Sequence, residues 1–110
     1  MKTSELTGPA LDWAVAKCDQ PQWSDEDALL WVQDDEYQYN PSIDWSHGGP
    51  IIERETIELY KEMNRWAAII RVDDEEAWEL YGSTPLVAAM RCFVASKMGD
   101  EVEVPADLED

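Results

Sequence analysis

The chain predicts a small α+β domain in which two helices pack on an antiparallel sheet of three to four short strands. Three observations carry that expectation. Its 110 residues are enough for one modest core and too few for two. Two segments carry the start and stop signals of helices, one near each end. Between them lie short apolar runs that do not alternate with helices in βαβ order.

The first helix starts at Thr7-Gly8-Pro9, with Thr7 or Gly8 as cap and Pro9 at the first helical position. It is expected to run to Lys17 or Cys18, with Leu11, Ala14, Val15 and Cys18 along one side and Trp13 on its shoulder. Asp19-Gln20-Pro21 ends it. Residues 19–36 then carry seven acids and no base. The short apolar run Ala28-Leu29-Leu30-Trp31-Val32, bounded by charge, reads as a strand. Asp34-Asp35-Glu36 lacks the glycine and final glutamate of a calcium-binding loop and reads as a solvated turn.

The middle of the chain is the stretch Tyr39-Asn40-Pro41-Ser42-Ile43-Asp44-Trp45-Ser46-His47-Gly48-Gly49-Pro50-Ile51-Ile52-Glu53-Arg54-Glu55. Asn40-Pro41-Ser42 is turn chemistry. Six residues hold an aromatic, a carboxylate and a double glycine, which reads as an ordered loop. Trp45 either plugs the core or stands as a stacking platform. The Gly48-Gly49 pair, lacking Cβ atoms, lets backbone amides approach a ligand. Two strands follow, Ile57–Tyr60 and Trp66–Val72, joined by a four-residue hairpin loop at Lys61 to Asn64. On the second, Trp66, Ala68, Ile70 and Val72 share one face. An acidic turn at residues 73–76 leads through Trp78 and Tyr81 to Gly82-Ser83-Thr84-Pro85, the strongest helix start in the chain. That helix runs to Met98, is apolar almost all round and stops at Gly99. The tail from about residue 100 carries six acids and no base and is expected to fray at its end.

The central stretch, the opening Leu6-Thr7-Gly8-Pro9-Ala10-Leu11-Asp12-Trp13-Ala14-Val15-Ala16 and the helix Thr84–Lys97 resemble the NinX family, small accessory proteins of tailed phages and prophages. The resemblance covers most of the chain apart from roughly residues 20–38. It departs from the family motif at Ile43, where a hydroxyl residue is expected. It implies a phage origin and a bacterial cytoplasm, and brings no established activity.

Charge narrows the function classes. There are 25 acidic and 8 basic residues, a formal net of −17, so direct nucleic-acid binding is disfavoured. Residues 39–71 hold five acids and four bases; the negative field belongs to the flanks. No apolar run approaches a membrane span, and no secretion leader is expected. Cys18 and Cys92 read as free buried thiols.

Catalysis is weakly signposted. His47 has no nucleophile-elbow motif for company and no convincing set of metal-ligand neighbours. Glu53 and Glu55, if extended, would share a face about 6–7 Å apart, a separation that two catalytic carboxylates use. Binding is better supported, with no cofactor and no metal. Gly82-Ser83-Thr84 offers an anion seat at a helix start. Arg54 and Arg91 are candidate phosphate partners, and Trp45 or Tyr81 candidate platforms for a flat base. The full candidate set is Tyr39, Ser42, Asp44, Trp45, His47, Gly48, Gly49, Arg54, Tyr81, Ser83, Thr84 and Arg91.

The expected function is therefore a non-enzymatic phage accessory protein that sequesters a small nucleotide-like anion, with a counter-defence role against bacterial immune signalling. The alternative is an acidic DNA mimic, or an inhibitor of a host DNA-binding or defence protein. An exposed sheet edge would be the natural seam of a homo-oligomer.

Overall fold

The computed structural model describes residues 1–109. Helix α1 spans Gly8–Asp19, α2 Asp25–Gln33 and α3 Trp45–Glu55; strands β1 Glu58–Glu62, β2 Arg65–Arg71 and β3 Ala77–Gly82 follow; α4 spans Pro85–Met98. The strands form one antiparallel sheet in the order β1-β2-β3. The α+β class with a three-stranded antiparallel sheet is as expected, but the helices number four rather than two among the described residues.

Helix α4 is the hub. Thr84 caps it, its side chain accepting from the Val87 amide at 3.1 Å, and Gly99 closes it at φ +87°. Its long apolar circumference is buried because it packs on the sheet and also against α1 and α3. Ala68, Ile70 and Leu80 face it from the sheet, while Leu11, Val15, Met90 and Phe93 fill the interior. Gly82 ends β3 where a Cβ would meet the Ala88 nitrogen at 2.6 Å, so only glycine lets strand and helix approach so closely.

Two corrections concern the acidic and central segments. Ala28–Val32 is helical, not extended. Ser24 accepts from the Asp27 amide, and Asp25, Glu26 and Asp27 occupy the first turn, where carboxylates complement the helix dipole. Only Ala28 and Val32 are buried, four residues apart on the side facing α1. The stretch from Trp45 onward is likewise a helix and not a loop. Asp44 caps it, accepting from both the Ser46 amide and hydroxyl. Gly48 lies under Pro41 and Leu86; a Cβ there would come within 2.5 Å of the Pro41 carbonyl oxygen and 2.6 Å of Leu86 Cδ2. Gly49 precedes Pro50, a position where a Cβ would disfavour the helical conformation.

Smaller differences follow from pairing. Glu62 pairs with Arg65, so the β1–β2 hairpin turns on Met63-Asn64 alone, with Met63 at φ 57°. Val72 falls beyond β2 and is exposed. The tail expected to fray is tied to the N-terminus: the Met1 ammonium donates to the Val102 carbonyl at 2.8 Å, the Val102 amide returns to Met1, and Thr3 bonds Asp100 and Gly99. Val102 is buried and Leu108 packs against the core. The last residue of that tail, Asp110, lies outside the described residues.

Candidate functional site

The turn before α3 brings the site together. Asn40, Pro41 and Ser42 reverse the chain, with the Ile43 and Asp44 amides both donating to the Asn40 carbonyl. Ser42 is buried, and its amide donates to Asp12 Oδ1 at 2.9 Å. Asp12 is a carboxylate only 3% exposed. Burial pushes its pKa up to about 6, against the opposing pull of the Ser42 amide and hydroxyl and the neighbouring His47. Asp12 thus anchors the motif to α1. Sequence reasoning passed over it, although a lone acid amid Ala10, Leu11, Trp13, Ala14, Val15 and Ala16 signals a buried carboxylate that needs a donor.

Beyond Ser42 the chain turns outward. Trp45 is 53% exposed and Ile43 72%, which settles the position of Trp45: it is a surface side chain, not a core plug. It stands on a ridge between two grooves. One, of about 370 Å³, is lined by Ser42, Ile43, Trp45, Ser83, Thr84, Pro85, Leu86 and Val87. The other, of about 600 Å³, is lined by Trp45, Ser46, Gly49, Pro50, Glu53 and Arg54. The fold therefore joins Ser42, Trp45, Ser83 and Thr84 across 40 residues of sequence, and sets Gly49 and Arg54 on the far side of the same indole. Sequence reasoning left out of the candidate set the apolar Ile43, Pro85, Leu86 and Val87 of the smaller groove and Ser46, Pro50 and Glu53 of the larger one.

The remaining candidates serve the scaffold. Tyr39 donates to Asp19 Oδ2 at 3.1 Å, and its ring stacks on His47 with centroids 5.3 Å apart. Burial and the Asp19 carboxylate raise the Tyr39 hydroxyl well above its usual range. His47 Nδ1 lies 3.1 Å from the Asn40 amide and 3.1 Å from its side-chain oxygen. Neither ring lines a Trp45 groove. Asp44 is the α3 cap, and the hydrogen bonds from Ser46 hold its carboxyl below the usual range. Gly48 offers no free amide, because its N–H donates to the Asp44 carbonyl.

Arg91 is withdrawn from ligand by two main-chain bonds, Nε to Leu6 at 2.7 Å and Nη1 to Tyr81 at 2.8 Å. Tyr81 itself sits on the outer sheet face, bonded to Glu79 with the Arg65 guanidinium 3.7 Å over its ring. Arg54 shares itself between Asp19 at 2.8 Å and Glu55 at 2.9 Å. Glu53 and Glu55 are not on one extended face. In α3 they are about 200° apart around the axis, and Glu55 also meets Lys97. At the start of α4, Pro85 has no amide to give and Thr84 takes that of Val87, so the anion seat is thinner than a bare helix terminus.

These features describe a small, strongly acidic α+β domain with an exposed tryptophan between two surface grooves. The family described as Bacteriophage P22, NinX matches residues 2–97. The chain belongs to that phage family, and the match includes the acidic α2 segment. A comparison with curated proteins gave no match. No helix among the described residues is long and apolar enough to cross a membrane.

Proposed function

We propose that this NinX-family protein is a non-enzymatic binding protein of the infected bacterial cytoplasm that sequesters a small nucleotide-like ligand, stacked on Trp45. The observation that carries the reading is the exposed indole at the ridge, flanked by the hydroxyls of Ser83 and Thr84. A tryptophan with half its surface in solvent presents a flat apolar face to it. A flat base on it gains roughly 1–3 kcal/mol. The apolar wall of Ile43, Pro85, Leu86 and Val87 suits a ring, and the hydroxyls suit its polar edge.

Charge contributes less than the sequence suggested. The smaller groove has no charged lining residue, and Arg54 in the other already serves two carboxylates. A phosphate would compete with Asp19 and Glu55 for it, so the ring supplies most of the affinity. A non-enzymatic role is supported by the separation of Glu53 from Glu55 and by the engagement of His47 with Asn40. Sequestration of an immune signal would give such a protein a counter-defence role.

A second reading is favoured by Ile43, which continues the apolar ridge beside Trp45. Here the two side chains anchor a host protein. Protein purified from infected bacteria, denatured and examined by mass spectrometry, separates the readings. A stoichiometric small molecule with a heteroaromatic ring supports sequestration. Its absence, together with a protein cross-linked through a photoreactive residue at position 43, supports the second.

A further inference from the structure

The surface of α2, remote in sequence from the Trp45 motif, carries a second feature. Leu30 is 67% exposed, on the side of α2 opposite Ala28 and Val32, and Trp31, on the flank of the helix, is 42% exposed. With Asp27, Gln33, Asp34 and Asp35 they line a depression of about 650 Å³. The Trp31 ring is stiffened from behind by Trp23, stacked at 5.6 Å and 14°. Two large apolar side chains held outward on a rigid helix and rimmed by three carboxylates are unusual on a chain with so few bases.

Structural roles account for some of these acids. Asp25 pairs with Lys17 at 2.7 Å and complements the helix start, and Asp34 Oδ1 accepts from the Glu36 and Tyr37 amides. Neither role accounts for Leu30, nor for Asp35 beside it. Residues 19–36 contain no base to neutralise Asp35.

We infer that this face docks a basic amphipathic segment of another protein, its apolar side chain seated on Leu30 and Trp31 and its lysines or arginines meeting Asp27, Asp34 and Asp35. Charge complementarity selects that occupant. A second copy of the chain, at net −17, would bring a like-charged patch against this one. Nucleic acid and anionic lipid surfaces are repelled for the same reason. A basic partner gains from both the rim and the apolar centre.

The test uses the full chain and a synthetic helical peptide of leucine and lysine, with a glutamine-for-lysine peptide as control, by titration calorimetry at two salt concentrations. The lysine peptide is expected to bind more tightly than the control and to weaken with salt. Leu30→Ser should weaken it by about tenfold, the worth of one buried leucine contact. Asp27→Asn with Asp35→Asn should weaken it and flatten its salt dependence, whereas Ile43→Ser should leave it unchanged. Three results overturn the inference: no binding of the lysine peptide, loss of equal size when Asp73, Asp74, Glu75 and Glu76 are made amides instead, or a self-associated wild type that Leu30→Ser renders monomeric.

Discussion

Two buried positions show how closely single side chains set the motif. Gly48 has Pro41 and Leu86 where its Cβ would be. Backbone on one side and a core leucine on the other leave nothing flexible to move aside. Gly48→Ala should therefore cost about 1–3 kcal/mol in chemical denaturation, with the melting temperature falling accordingly. Asp12 sets a pH dependence. Its folded pKa, about 6, exceeds its unfolded value near 3.8, so ionisation favours the unfolded chain. The contribution of the protonated carboxyl is fully present below about pH 4 and is lost as pH rises through about 6. Asp12→Asn keeps an oxygen for the Ser42 amide and removes the charge. Subtracting denaturation free energies of wild type from those of the variant should give a difference that grows between pH 4 and 6, on the order of 2–3 kcal/mol, then levels off. A flat difference across that range would show that Asp12 does not titrate as its burial requires.

Helix ends decide which segments fold as helices, and they were only partly legible. Thr84 takes the α4 cap, and Ser83 is exposed beside it. Thr84→Ala should cost about 1 kcal/mol and Ser83→Ala very little in thermal melts. The α1 and α4 termini could be read because Pro9 and Pro85 stand just inside and Gly99 just outside. For α2 the signal was equally present, Ser24 followed three residues later by Asp27, but the compact apolar run Ala28–Val32 has the length and boundaries of a strand. What overrides it is tertiary: α1 covers Ala28 and Val32 but not Leu30, a pattern a helix permits, whereas a strand would put all three on one face. For α3, Gly48, Gly49 and Pro50 each lower helix propensity, so a loop was the natural inference. The role of Gly48 as a close-packing point requires knowledge of Leu86, 38 residues further on, and of the turn that brings Pro41 over it. The same limit applies to the site. Trp45, Ser42, Ser83 and Thr84 could be nominated by residue type. The commitment of Arg91, Tyr39 and His47 to carbonyls and to each other depends on contacts spanning up to 85 residues.

Across the whole chain, the flanking acids rim the depression at Leu30 and Trp31 but stay away from the smaller Trp45 groove. Sixteen of the 25 acids lie at the α2 start and in the segment after it, the β2–β3 turn and the tail, while the smaller Trp45 groove has no charged lining residue. A pocket built this way is expected to outlast changes in the flanks. Converting Asp25, Glu26, Asp27, Asp73, Asp74, Glu75 and Glu76 to amides would bring the net charge from −17 to −10 and should leave capture at Trp45 intact. Trp45 itself bears on the binding proposal most directly. Wild type and Trp45→Ala, purified side by side from infected bacteria, are compared for bound small molecule per mole of protein at matched fold, the fold being checked by melting. With its ring half in solvent, Trp45→Ala should lower stability by about 1 kcal/mol or less and remove the bound molecule. A variant that melts like wild type and retains the molecule in full would contradict stacking on Trp45 and the function built on it.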